Sequence, residues 1–446
     1  MLFKNQLQII NNGQTPELKK IRKDILEILS NSYDSVDPYN AVKNHIIDEK
    51  IVFDSKTIDI SNFENIYLIG FGKASIGMAQ ALSNSLNIKK GAIITNDSKN
   101  KVENINIITY VGNHPLPTQN NVNNTEEILE IVKKCKKNDI LFVMISGGGS
   151  SLLCLPKVNI NDMNKTTDLL LKSGANIKEI NTIRKHLSYI KGGQLTAQAR
   201  CTIISFIISD IIGDPIEFIA SGPTCQDSTT YLDSKNVFNK YKLWEKLPSS
   251  VKKVIDDGII GKIPETPKNK QIFKNTFNFI IANNLIACNA AKKKAEELNY
   301  KTVLLTTSLN GEAKEMGKYL SERAINYLKN VKNIVFISGG ETTVTIKGKG
   351  KGGRNQEMVL SSVEKLAGRD VVFSSFATDG IDGNSIAAGA IADAETLKRA
   401  KAENMNPQKF LDDNNSYEFF KNLKDLLITN NTGTNVMDIQ ILVKKG

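Results

Sequence analysis

Cations beside glycine turns, and acids at the ends of apolar runs, are the residues of this chain that are spaced for chemistry. The apolar run 141–145 (LFVMI) leads into Ser146-Gly147-Gly148-Gly149-Ser150-Ser151. Glycines let successive backbone N–H groups turn toward an anion, and a helix start behind them adds positive partial charge. Three consecutive glycines are costly in backbone entropy, which favours an anion site over a simple packing turn. Lys73 stands just past Gly70-Phe71-Gly72 at a strand–helix junction, where its ammonium can reach anionic oxygens. The spacing of Gly70, Gly72 and Gly77 fits neither the Walker loop nor the dinucleotide fingerprint. Arg354 follows Gly352-Gly353 at the start of a helix expected over 355–366, and its fork can clamp a carboxylate or phosphate. Asp210 and Asp214 follow one apolar run, and Asp379 and Asp382 follow another. Acids in such places suit magnesium or a general base, with an Asx turn around Gly213 as the plainer reading of the first pair.

Two basic segments are less specific. His114, in the stiff loop 112–117 (GNHPLP), either contacts an anion or caps a turn. If residues 179–193 are helical, Arg184, Leu187, Ser188 and Lys191 share one face, and Gly192-Gly193 end the helix. The alternative is an ordinary basic surface helix.

The elements that must carry these residues alternate between helix and strand. Helical spacing runs from about Thr15 to Ser32, and Asp37-Pro38 opens a second helix expected through His45, Ile46 and Ile47. Strands are expected at 66–69, 91–96, 105–110, 141–145 and 202–208, with a helix over 74–82. Residues 228–270 read as a helical connector and domain boundary. Beyond them, strands at 277–282, 301–306 and 334–338 alternate with helices at 284–298 and 311–330, a βαβαβ pattern that predicts a parallel sheet. Strands near 371–377 and 440–443 follow. Two apolar strands each end in Ser-Gly-Gly, at 146–148 and 338–340, which suggests two halves presenting polar loops to one cleft.

At 446 residues the chain exceeds one ordinary core. Its 40% hydrophobic and 24% charged content is that of a globular protein. The first residues do not form a secretory signal, and the apolar run 202–209 is too short to span a membrane, so a cytoplasmic protein is expected. Cys135, Cys154, Cys201, Cys225 and Cys288 are scattered, as reduced thiols are. The only histidines are His45, His114 and His186, which argues against a multi-histidine metal centre. The net charge of +11 suits either a nucleic-acid face or an anionic small ligand. Lysines are spread along the chain, and 347–351 (KGKGK) lacks interleaved aromatics, which favours the small ligand.

Several segments, taken in order, resemble the glycerate 2-kinase family (class II glycerate kinases), whose C-terminal half carries the MOFRL domain. They are 70–75 (GFGKAS), 146–151 (SGGGSS), 181–188 (NTIRKHLS) with 191–193 (KGG), and Ser209-Asp210 with Gly213-Asp214. In the second half they are 338–343 (SGGETT), 352–357 (GGRNQE), 378–383 (TDGIDG) and 433–438 (GTNVMD). The resemblance implies a two-domain α/β protein, each domain a mostly parallel sheet flanked by helices, with the active site in the interdomain cleft. It implies a Rossmann-like domain over 1–265 and the MOFRL α/β domain over 266–446. It implies phosphorylation of the 2-hydroxyl of D-glycerate by ATP, with Mg²⁺ or another divalent cation. Carried across, the family's functional lysine, aspartate and arginine are Lys73, Asp210 and Arg354.

Ser146, Gly147, Gly148, Gly149, Ser150 and Ser151 are then expected to hold nucleotide phosphates or the glycerate carboxylate. His114, Arg184, Lys191, Glu341, Thr342 and Asn355 join that binding set, and Asp210, Asp214, Asp379 and Asp382 are the candidate metal ligands. The chain departs from the family at Asn430-Asn431, where Gly-Pro is common. The expected partners are D-glycerate and ATP, with no nucleic acid and no membrane, and a homodimer is left open. The rival readings are an NAD(P)H-dependent hydroxypyruvate reductase, which lacks its fingerprint here, and a non-catalytic anion- or nucleic-acid-binding protein.

Overall fold

A computed structural model describes residues 2–327 and 333–445. The chain divides into two compact units, and both are discontinuous. One comprises Pro38–Ser209 and Asp214–Ile281; the other comprises Met1–Asp37, Asp210–Gly213 and Ala282–Gly446. This division differs from a single cut between residues 265 and 266, because the N-terminal helices fold with the C-terminal half.

The first, glycine-loop unit is built on a six-stranded sheet. In spatial order its strands are Ile107–Val111, Ile88–Thr95, Ile66–Phe71, Ile140–Ile145, Thr202–Ile208 and Thr276–Ala282. Pairing among the first five is parallel. Every residue of Ile140–Ile145 is buried, which explains its unbroken apolar run, since strands covered on both faces need no polar alternation. Helices Ile160–Lys172, Ile177–His186, Tyr231–Lys240 and Ser249–Ile259 pack together through Leu170, Ile183, Tyr231, Phe238, Val251 and Ile255. Residues 228–270 are therefore not a connector. Their apolar stripes complete a helical layer inside this unit.

Two local readings are corrected. The helix begun at Pro38 ends at Lys43, and Ile46–Ile47 instead pairs with Lys50–Ile51 in a small antiparallel sheet. Asp48 and Glu49 both take positive φ, as a tight two-residue hairpin requires. The helix carrying Arg184 stops at His186, so Lys191 lies outside it. The carbonyls that a longer helix would have used are taken by the Gln194 side-chain amide, which donates to Lys185, Ser188 and Lys191.

The second unit holds a mixed sheet in the order Lys301–Leu309, Ile334–Gly340, Asp438–Lys444, Val371–Ala377, Gly389–Ala392 and Leu426–Leu427. Its first pair is parallel and the other pairings are antiparallel. The expected βαβαβ run is thus split, since Thr276–Ala282 belongs to the other sheet. The last strand lies antiparallel between Ile334–Gly340 and Val371–Ala377. Hydrophobic period marks a strand but carries no record of its neighbours. The helix expected over 311–330 runs from Ala313 to Asn326, and residues 328–330 lie outside the described residues. Among the described residues no helix is long and apolar enough to cross a membrane.

Helix Pro16–Asp34 is begun by Thr15, whose hydroxyl accepts the Leu18 N–H, with proline at the first helical position. Its Arg22 is fully buried. The guanidinium donates to Asp393 at 2.7 Å, to Asp425 at 2.6 Å and to the Ile9 carbonyl at 3.1 Å. This ties the start of the chain to residues far along it. Arg22→Met would leave buried Asp393 without a counter-charge and Asp425 with Arg399 alone, a class of change that costs about 3–5 kcal/mol. Urea unfolding of the full chain should register that loss, and a change below about 1 kcal/mol would contradict the role given to this ion pair.

Candidate active site

In the glycine-loop unit, strand Ile140–Ile145 ends and the chain turns through Ser146–Gly148 into the single helical turn Gly149–Leu152. Gly148 takes φ +83°, a value that glycine adopts without steric cost. The amides of Gly149 and Ser151 close the turn on Ser146 and Gly148. Those of Gly147, Gly148 and Ser150 have no acceptor among the described residues. Gly147 is buried and Gly148 and Ser150 are partly buried, so three N–H groups on one short turn are open to an anion's oxygens.

The Gly70–Lys73 turn is stitched to this loop. The Lys73 amide donates to the Gly147 carbonyl at 2.9 Å, and the Ala74 amide to the Ser146 hydroxyl at 3.1 Å. Gly72 has φ +125°, and a Cβ there would fall 2.2 Å from the Ser146 hydroxyl oxygen. The Lys73 side chain is exposed and forms no ion pair among the described residues. Around Gly148, a Cβ would lie 3.1 Å from the His114 ring and 3.5 Å from the Lys73 side chain, so both line the loop. Burial, and then the Lys73 charge, hold the His114 imidazole below its ordinary value. Asn121 locks the His114 loop in place, donating to Asn113 and to Ser151 at 3.0 Å each.

A second layer braces the loop from the turn 220–222. Ala220, Ser221 and Gly222 all have positive φ, which is uncommon for the first two and of the kind that concentrates at functional sites. The Ser221 and Ser150 hydroxyls are 2.9 Å apart, and Ser221 donates to Asn181 at 3.0 Å. On the helix Ile177–His186, Lys185 pairs with Asp227 and His186 with Glu265. Arg184 is half-buried and has no ion pair or hydrogen bond among the described residues. Burial depresses its guanidinium from the ordinary value, with Cys154 opposing weakly.

The mixed-sheet unit has the opposite character. Arg354 opens helix Arg354–Leu366 and makes a bidentate pair with Asp438, at 2.5 and 2.9 Å. Its remaining nitrogen meets Glu341 at 2.8 Å. Burial, with Asp438, Asp210 and Asp379 nearby, raises the Glu341 carboxyl against the pull of Arg354. Asp382 is buried and caps the same helix, accepting the amides of Asn355 at 3.0 Å and Gln356 at 2.8 Å. Burial pushes it up to about 6, with those two amides opposing. Asn355 is fully buried between Ser375 and Asp382, and Thr342 is buried with its hydroxyl unpaired. Asn430, at the departure from the family pattern, has φ +73°, a conformation asparagine tolerates better than most residues.

The expected residues thus fall into two groups. Lys73, His114, Ser146–Ser151, Arg184 and Lys191 gather in one unit. Arg354, Glu341, Thr342, Asn355, Asp379, Asp382 and Asp210 belong to the other, while Asp214 belongs with the first group. Asp382 and Asn355 spend their polar atoms on the helix start. Among the described residues no three His, Cys, Asp or Glu side chains are grouped to hold a metal. Sequence reasoning gave no role to Asp438, Ser221, Asn181 or Asn121, although Asp438 and Asn181 lie within segments that carry the family resemblance. Asp438 carried a signal, an acid at the head of an apolar strand; the other three are organising polar residues with no periodic mark.

One unit thus has an open glycine turn beside Lys73 on a largely parallel sheet, and the other pairs an arginine with clustered carboxylates; the lysine and the arginine are residue types suited to anionic oxygens. Residues 24–256 match the family described as "Domain of unknown function (DUF4147)", and residues 334–438 match the MOFRL family. The chain is 40% identical to the glycerate 2-kinase of Pyrococcus horikoshii over 95% of this chain and 97% of that one. It is 37% identical to the D-glycerate 2-kinase of Thermotoga maritima over 95% and 98%. The crystal structure of a Thermotoga maritima glycerate kinase superposes with a TM-score of 0.86 at 36% identity, covering 96% of this chain and all of that one. The chain belongs to the glycerate kinase family that carries the MOFRL domain.

Gly72→Ala would force the turn apart at Ser146 and strain a left-handed backbone, and a loss of at least about 1 kcal/mol is expected by urea unfolding. Unchanged stability would contradict the stitched geometry. Asp382 supplies a pH test. Its folded carboxyl sits at about 6 against an ordinary 3.8, so the folded state binds the extra proton between those values. Stability measured against Asp382→Asn should therefore rise as the pH falls from 7 toward 4.5, and a flat difference would contradict the burial effect.

Proposed function

We propose that this chain transfers the γ-phosphoryl group of ATP to the 2-hydroxyl of D-glycerate. The observation that carries the reading is the open turn at Gly147, Gly148 and Ser150, bordered by Lys73, which has no acidic partner among the described residues. Such a turn suits phosphate or carboxylate oxygens and has no use for a neutral ligand. The names of the relatives in Pyrococcus and Thermotoga support attack from the 2-hydroxyl.

Phosphoryl transfer depends on positioning and charge neutralisation more than on covalent help. In this reading the loop and Lys73 hold anionic oxygens, and Arg184 meets the glycerate carboxylate or a phosphate. Asp210 accepts the 2-hydroxyl proton or serves as a metal ligand. Arg354 is aligned by Asp438 through two nitrogens, leaving its third for the transferring group. Glu341 is the partner it exchanges, because that carboxylate is half-exposed and its carboxyl is already raised, by burial first and then by its acidic neighbours.

Asp438 and Asp382 spend their oxygens on N–H donors, so an all-protein magnesium cage does not fit. Asp210 and Asp379, which both lie close enough to raise the Glu341 carboxyl, would be the holders of a magnesium ion that takes one or two carboxylates and completes its shell from phosphate and water. Bound there, it would neutralise developing phosphate charge. The free thiols suit a reducing cytosol.

The test is ADP release with D-glycerate, and NMR assignment of the phosphate to carbon 2 of the product. Lys73→Ala, Asp210→Asn and Arg354→Ala should each lower kcat/KM by about a hundredfold or more. Near-wild-type turnover in all three would overturn the role assignment. Phosphate on carbon 3 would overturn the regiochemistry.

A further inference from the structure

Lys191 is the residue that neither fold nor mechanism has yet explained. It is 2% exposed, and its ammonium donates to the carbonyls of Ser150 at 2.8 Å and Leu153 at 2.6 Å. No carboxylate pairs with it among the described residues. The titratable and charged groups facing it are Cys154, on the chain leaving the loop, and Arg184, on helix Ile177–His186. Neither supplies the missing negative charge: the Cys154 thiol is itself raised by burial, and Arg184 is a second cation without a partner. A buried cation without a counter-ion is strongly disfavoured.

The surrounding backbone nevertheless fixes Lys191 in place. Its own amide donates to the Ser188 hydroxyl. The next two residues, Gly192 and Gly193, have positive φ and donate to the carbonyls of Ser221 and Gly222, the strained turn that braces Ser150.

We infer that Lys191 is a positioning residue: it holds the glycine loop from beneath through the Ser150 and Leu153 carbonyls, and the anion bound by that loop completes its charge. This rests on the reading of the loop as an anion site and goes beyond it by coupling that site to a proton. Burial, which Arg184 reinforces and Cys154 opposes, lowers the ammonium to about 8 in the free chain. An anion above the loop restores the charged form, so binding takes up a proton where free Lys191 is partly neutral. ATP and D-glycerate are both fully ionised at pH 8.5, so neither supplies that signal.

The experiment is titration calorimetry of the full chain with ATP and with D-glycerate at pH 7.0 and 8.5, in buffers of different ionisation enthalpy. Hydrogen exchange of the loop amides in wild type and Lys191→Met accompanies it. Uptake of about three quarters of a proton at pH 8.5 and about a tenth at pH 7.0 is expected for the ligand that seats on the loop. Lys191→Met should take up none, and its hydrogen-bonded amides at Gly149, Ser151, Leu152 and Leu153 should exchange at least about tenfold faster. No uptake in wild type, or unchanged loop exchange in the variant, overturns the proposal. If Lys191→Met does not fold, the wild-type calorimetry decides alone. If neither ligand binds, the functional reading fails and loop exchange alone decides the role of Lys191. Turnover of D-glycerate without proton uptake would sink this proposal and leave the functional reading standing.

Discussion

Backbone donors at a buried turn seldom go without an acceptor, and much of the glycine-loop unit is arranged so that three of them do. Keeping Gly147, Gly148 and Ser150 open requires the chain to turn where a side chain would collide. It also requires the turn to be held from several sides. The Gly70–Lys73 turn holds it at one end, Asn121 and the His114 loop at another, and Ser221 with Lys191 beneath. Most of these braces set a polar side chain against a backbone group, while Lys73 uses its amide and Ser221 meets the Ser150 hydroxyl. Such bonds fix geometry more tightly than apolar contact, and each loses its partner if the loop moves.

The mixed-sheet unit solves the reverse problem. Its polar groups are mostly spent on one another. Arg354 is aligned by Asp438, and the helix it opens is capped by Asp382. A buried chain of side chains from Ser338 through Gln440 and Ser375 to Asn355 runs through the sheet to that same helix start. Glu341 is the loosest member, half-exposed, with its carboxyl raised by burial and then by its acidic neighbours.

The longer strands and several helices were legible in the sequence because their apolar periods are strong, whereas the short strands Lys50–Phe53, Lys56–Asp59, Gly389–Ala392 and Leu426–Leu427 were not. Strand 140–145 and helix 16–34 came out within a residue or two. What failed was what period cannot encode. The final strand's place between two others rests on backbone pairing with strands distant in sequence, and the folding of Met1–Asp37 with the C-terminal half on Arg22 meeting Asp393 and Asp425 across hundreds of residues. The helix around Arg184 was read too long because a Gln194 side chain caps carbonyls that helical spacing alone would assign to a further turn. At the site, glycines, cations and acids at strand ends were found by type and position. Asp438, Ser221, Asn181 and Asn121 were not, since single polar residues acquire meaning only through a partner distant in sequence.

The account stands on the open amides of the loop, and backbone NMR of the full chain labelled with ¹⁵N-glycine and ¹⁵N-serine reads them directly. On adding ATP or D-glycerate, the amides of Gly147, Gly148 and Ser150 should shift strongly and together, ahead of Gly149 and Ser151, whose N–H groups are already bonded. If both ligands leave those three amides unmoved while resonances elsewhere respond, the loop is not the anion site and the account is wrong.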